Sequence, residues 1–139
     1  MIVYHRRKRE KLVTDLKKIL ILIVDDSDDS RSILGVILHR SWGYETIEAA
    51  TGTEAVRKAI SEKPDLIIMD LGLPEISGVD ATKAIKENSA TAHIPIIAHT
   101  VWPADSFKEE ALNAGMVDYL EKPVSMALMK TTIEKFIPH

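Results

Sequence analysis

A chain of 139 residues, 45% hydrophobic and 28% charged, suffices for one domain with one core and is short for two. It contains no cysteine, which excludes disulfide scaffolds, thiolate nucleophiles and thiolate metal sites and favours an intracellular, cytoplasmic home. The net charge of −3 is unevenly divided: residues 1–18 carry seven Lys/Arg against two Asp/Glu (+5) and the remainder eleven against nineteen (−8), so the acidic body disfavours nucleic acid as a partner.

The basic run His5-Arg6-Arg7-Lys8-Arg9 precedes any apolar stretch of signal-peptide length, which argues against export. The longest apolar run, Ile19 to Val24, falls far short of the roughly 20 residues that cross a bilayer, so no membrane partner is expected. Residues 1–17 are expected to form a solvated basic extension and 18–139 the folded domain. Lys18 to Val24 is β-branched and almost continuously apolar, the pattern of a strand buried on both faces, and it ends at Asp25-Asp26. Ile33, Val36, Ile37 and Arg40 then recur at helical spacing over about 29–40, with Ser27, Asp28 or Asp29 as the N-cap.

Trp42-Gly43-Tyr44 turns the chain into a second strand near Glu45 to Ala49. Thr51-Gly52-Thr53 opens a helix carrying Ala55, Val56, Ala59 and Ile60, closed by Pro64. A third strand, Asp65 to Met69, ends at Asp70; a loop with Gly72 and Pro74 leads to a helix from Gly78 to about Asn88. The fourth strand runs from Ile94 to His99 and ends at Thr100, and Ser106 with Glu109 has capping-box spacing for a helix that begins at Asp105 or Ser106 and stops at Gly115. Val117 to Leu120 is a fifth strand, Lys122-Pro123 follows, and Ser125 starts a helix with Leu128, Met129, Thr132, Ile133 and Phe136 on one face. Five strand–helix units predict an α/β fold, a doubly wound five-stranded parallel sheet with helices on both faces, whose ligands bind beyond the carboxyl ends of the strands.

At those ends stand Asp25 and Asp26, Asp70, Thr100 and Lys122. Asp25-Asp26 alone reads as a helix cap, and Lys122-Pro123 alone as a loop; their joint placement points to a site. Three carboxylates brought together repel unless a cation joins them. Oxygen ligands without nearby Cys or His select a hard ion, Mg²⁺ above all. Such a cluster suits phosphoryl transfer, and one carboxylate can itself be the nucleophile.

The motifs Ile23-Val24-Asp25-Asp26, Ile68-Met69-Asp70-Leu71-Gly72-Leu73-Pro74 with Ser77-Gly78, Ile97-Ala98-His99-Thr100 and Asp118-Tyr119-Leu120-Glu121-Lys122-Pro123 resemble, in this order and spacing, the receiver domain of two-component response regulators. The likeness extends from about residue 18 to 137. It implies a flavodoxin-like, CheY-like sheet of order 2-1-3-4-5. Asp70 is then the phosphoacceptor, taking phosphate from phosphohistidine on a sensor histidine kinase or a histidine phosphotransfer protein. Asp25, Asp26, Asp70 and the backbone carbonyl of Gly72 would hold Mg²⁺, Lys122 would pair with the phosphate, and Thr100 and Tyr119 would be the switch pair.

The resemblance further implies an output surface of the fourth helix, fifth strand and fifth helix, for an unknown downstream protein or a second copy in a homodimer. No sequence after His139 provides an output domain, so a single-domain regulator that catalyses only its own phosphorylation and dephosphorylation is expected; a phosphate sink would use the same site. Val101 and Trp102, after the switch threonine, are bulky for the family and predict slow hydrolysis of the aspartyl phosphate. Asp26-Ser27-Asp28 also resembles the start of haloacid-dehalogenase-type phosphatases, an enzyme alternative with Asp26 as nucleophile. His99 reads as structural.

Overall fold

The computed structural model describes residues 18–138; the basic extension expected at 1–17 lies outside the described residues. The elements follow in chain order as β1 (Leu20–Val24), α1 (Asp28–Val36), a π-helical segment (Ile37–Ser41), β2 (Glu45–Ala49), α2 (Gly52–Glu62), β3 (Leu66–Met69), α3 (Gly78–Glu87), β4 (Ile96–Thr100), α4 (Ala104–Ala114), β5 (Asp118–Glu121) and α5 (Met126–Phe136). All strand pairs are parallel, as the strand–helix alternation predicts, and their order is β2-β1-β3-β4-β5, as the family resemblance implies.

Strand alternation divides the core in two. Leu22, Val24, Ile67, Met69, Ile96 and Ala98 face one side, where small residues of α2, α3 and α4 (Ala55, Ala59, Ala81, Ala111) let those helices approach closely. Ile21, Ile23, Leu66, Ile68, Ile97 and Leu120 face the other, against Leu34 and Leu38 of the first helical region and Met129 and Ile133 of α5. Because the central strands are covered on both faces, their sequences show no apolar–polar alternation.

Local chemistry starts most of the helices. Ser27, Thr51, Ser77 and Ser125 each accept a hydrogen bond from the backbone N–H three residues on, the N-cap arrangement. Gly115, at φ 117°, terminates α4 in the left-handed region that favours glycine.

Three expectations need correction. The fourth predicted helix begins at Ala104 rather than Asp105 or Ser106, and its N-cap, Pro103, has no capping side chain; the Ala104 N–H instead donates to Glu121 Oε1 at 2.7 Å. A carboxylate from β5, distant in sequence, has replaced the local capping box. On the first helix the buried pair is Leu34 and Leu38, whereas Ile33 and Val36 are 63% and 50% exposed, so the apolar stripe read from the sequence faces outward. Among the apolar residues grouped with the cores of α2 and α5, Ile60 and Leu128 are also exposed. Strand bounds shift by a residue or two; Pro95 precedes β4 rather than lying in it.

Candidate functional site

Parallel pairing delivers the polar residues to one edge. Val24 is in register with Met69, so the next residues, Asp25 and Asp70, emerge side by side. The ladder runs one residue past each strand: the Asp70 N–H donates to the Val24 carbonyl at 2.9 Å and the Asp25 N–H to the Ala49 carbonyl at 3.1 Å. Thr100 is in register with Glu121, and the Lys122 N–H donates to the Thr100 carbonyl at 2.7 Å. Lys122 therefore leaves the sheet beside Thr100, with a cis peptide bond to Pro123.

One carboxylate oxygen from each of Asp25, Asp26 and Asp70 lies within 4.8 Å of the others. Asp25 and Asp70 are 5% and 9% exposed, while Asp26 is open to solvent. The Lys122 ammonium donates to Asp25 Oδ2 at 2.6 Å and stands 3.6 Å from Asp70 Oδ2. Asp25 Oδ1 accepts from the Ser27 N–H at 2.9 Å, and Asp70 Oδ1 from the Gly72 N–H at 3.3 Å. Each buried carboxylate thus has one oxygen on backbone and the other toward Lys122, which fixes its orientation. Three carboxylates against one ammonium leave an excess of negative charge among oxygen donors, a set that fits a hard divalent cation and not a soft one.

Glycine at 78 is a steric necessity here. A Cβ at that position would lie 2.1 Å from the Asp70 carbonyl oxygen, so α3 can begin against the Asp70 backbone only without a side chain. Position 72 is similar in kind: a Cβ there would come within 3.1 Å of Trp102 Cζ2, because the indole occupies the space a side chain would fill.

Trp102 also joins Thr100 to Tyr119. Thr100 is fully buried, and its hydroxyl accepts from the Trp102 N–H at 3.2 Å. Tyr119 is turned inward, 7% exposed, and its hydroxyl donates to the Trp102 carbonyl at 2.7 Å. Burial raises the Tyr119 pKa above its ordinary value, and the negative charges of Glu121 and Asp70 add to the effect, so the hydroxyl keeps the proton it donates.

A sequence model of the response regulator receiver domain matches residues 21–134. The chain belongs to the receiver-domain family. The polar-differentiation response regulator DivK of Brucella anthropi is 35% identical over 117 residues, 84% of this chain and 94% of that protein. Among solved structures, the receiver domain of a Pseudomonas aeruginosa sensor histidine kinase, described with a magnesium ion coordinated in its active site cleft, is 34% identical at a TM-score of 0.79 and covers 86% of this chain and 98% of that one. The Vibrio cholerae chemotaxis protein CheY4 is 30% identical at a TM-score of 0.80, covering 87% and 100%. The phosphatase alternative built on Asp26 gains no support from these relatives.

Beside the carboxylates of this receiver domain, an apolar cavity of about 440 Å³ opens between α1 and the segment after β5. Ile33, Ile37, Val101 and Met126 are among the residues that line it, and it shares Lys122 with the acidic cluster. His99 also lines it. Burial, then the Lys122 charge, push the His99 pKa down to about 4 against the opposing pull of Asp25, so the imidazole is neutral at physiological pH. Val101 and Trp102, grouped together from the sequence, part company: Val101 borders this cavity, and Trp102 lies on Gly72 on the other side of the site. Neither the cavity nor the seat of Trp102 is legible from the chain, since each is made by residues from separate elements. No helix among the described residues is long and apolar enough to cross a membrane.

Proposed function

We propose that this protein is a phosphorylation-controlled response regulator that accepts a phosphoryl group on Asp70. The observation that carries this reading is the cluster of Asp25, Asp26 and Asp70 at adjoining strand ends, with Lys122 bridging Asp25 and Asp70. An Asp70 carboxylate oxygen attacks the phosphorus of a phosphohistidine on a sensor kinase or phosphotransfer protein; the P–N bond breaks, and its electron pair stays on the departing imidazole. Asp25, Asp26, Asp70 and the Gly72 carbonyl would hold Mg²⁺, which when bound neutralises charge on the phosphoryl oxygens. Lys122 does the same from the protein side, and the Thr100 hydroxyl donates to a phosphoryl oxygen.

Donating that hydrogen bond engages the hydroxyl that accepts from the Trp102 N–H, and Tyr119 feels the change through the Trp102 carbonyl. The altered surface is that of α4, β5 and α5, which then binds a target protein. The phosphodonor docks in the apolar cavity next to α1, whose continuity with Lys122 brings a histidine seated there to the carboxylates. Turnover is confined to the protein's own phosphate.

The test is intact mass after incubation with Mg²⁺ and acetyl phosphate, on wild type and Asp70→Asn. One labile phosphoryl group in the wild type and none in the variant is expected; labelling that persists in Asp70→Asn overturns the assignment of Asp70.

A further inference from the structure

We propose that Arg31 is a positioning residue for the metal-binding carboxylates, holding the peptide between Asp25 and Asp26 in the orientation that a divalent cation requires. This rests on the reading of the acidic cluster as the phosphoryl-transfer site. The three carboxylates are not held alike. Asp25 and Asp70 each take a backbone N–H on one oxygen and face Lys122 with the other. Asp26 is exposed, and no hydrogen bond or ion pair from the described residues reaches its carboxylate. Its place in the cluster is therefore set through its main chain.

That main chain is gripped from α1. The Arg31 side chain is 14% exposed, and its Nη1 donates to the Asp25 carbonyl at 2.7 Å. The peptide that carries this carbonyl is planar and trans, so fixing its oxygen fixes the plane in which the Asp26 Cα lies. The same guanidinium reaches Asp28 of α1 through Nη2, and through Nε it donates to Glu48 Oε1 of β2 at 3.1 Å. Glu48 is anchored in turn, its carbonyl accepting from the Lys58 ammonium of α2. A rigid fork of donors can hold three acceptors from separate parts of the fold at once, which a single ammonium cannot.

The carboxylates of Asp28 and Glu48 together outweigh the charge of the guanidinium they touch. Arg31 therefore acts on the cluster through geometry and not as a further cation. Mg²⁺ demands near-ideal octahedral coordination with bonds of about 2.0–2.1 Å. A ligand-bearing peptide left free to turn must be ordered when the ion binds, which weakens affinity. With Arg31 in place, that ordering is already complete in the folded chain.

The experiment reads Mn²⁺, a hard ion that takes the same oxygen ligands, from the electron paramagnetic resonance of the free ion, with Mg²⁺ added as competitor, for wild type, Arg31→Met, Arg31→Lys and Glu48→Gln. Metal binding about tenfold weaker is expected in Arg31→Met, with Arg31→Lys recovering part of it and Glu48→Gln intermediate. Labelling of Arg31→Met by acetyl phosphate, followed by intact mass, should need about tenfold more Mg²⁺ to reach half its maximal rate, while the maximum changes by less than about twofold. A purely structural role would lower the urea midpoint and leave the metal affinity of the folded protein unchanged; that result overturns the proposal, as does a maximal rate that falls with no change in the Mg²⁺ requirement. Weakened Mn²⁺ binding in Arg31→Met beside labelling that persists in Asp70→Asn supports the positioning role and overturns the Asp70 assignment. A wild type that binds no Mn²⁺ overturns both. If Arg31→Met does not fold, Arg31→Lys and Glu48→Gln decide by the same criterion.

Discussion

His99 shows how one side chain ties the site to stability. Its pKa, depressed to about 4 from an ordinary value of 6.5 chiefly by burial, means that the folded protein resists a proton the unfolded chain accepts. Above about pH 6.5 both states hold it neutral and nothing is lost; as pH falls from there toward 4 the unfolded state binds more protons and stability drops, by about 3 kcal/mol in all. Burial sets the lower end of the window, and the site's own charges adjust it, Lys122 lowering and Asp25 raising this pKa. The expected outcome is that urea-unfolding midpoints of His99→Leu fall less than those of wild type between about pH 7 and about pH 4.5; equal falls would remove His99 as the cause. A lone histidine in a strand sequence carries no sign of this. Its neighbours in space, Lys122 and the apolar cavity residues, come from other elements.

At the scale of elements, α4 is held where it begins by a residue of β5. The Glu121 carboxylate on the Ala104 N–H does what an N-cap side chain does elsewhere, so Glu121→Ala should cost about 1 kcal/mol. Hydrogen exchange should rise first at the opening turn of α4, near Ala104 to Phe107; unchanged exchange there would mean that the cap is idle. Glu121 adjoins Lys122 and shares β5 with Tyr119, so the same contact ties α4 to the site. The first helix presents the opposite case. Its exposed Ile33 lines the cavity assigned to the phosphodonor, and Ile33→Lys should leave stability within about 0.5 kcal/mol while slowing transfer from a histidine phosphotransfer protein. An undiminished transfer rate would place the donor elsewhere. The apolar residues of that helix were legible as a helical stripe, but which stripe faces the core was not, because Leu34 and Leu38 are equally apolar and only the packed sheet selects them.

For the whole molecule, the acidic cluster sets stability against function. Asp25 and Asp26 are neighbours in the chain, but folding brings Asp70 to them and the three carboxylates then repel, with Lys122 offsetting part of the cost. A divalent cation that binds the folded state alone stabilises it by mass action, by about 2.7 kcal/mol at a hundred times its dissociation constant. Titrating Mg²⁺ should therefore raise the thermal midpoint, and Asp26→Asn should start from a higher midpoint without the ion and gain less with it. A variant that gains as much as wild type would remove Asp26 as a ligand.

Strand alternation with helices, the caps at Ser27, Thr51, Ser77 and Ser125, and the placement of Asp25, Asp26, Asp70, Thr100 and Lys122 at strand ends were all set by the sequence itself. Each depends on local chemistry: burial patterns of period two or 3.6, or a hydroxyl within reach of its own helix's N–H groups. Parallel order then made those ends converge. The tertiary structure alone decided the seat of Trp102 on Gly72, the capping of α4 by Glu121, the outward turn of Ile33 and the burial of His99. All four are meetings of residues from different elements, where the outcome rests on which surfaces pack together and no local pattern in the chain encodes the partner.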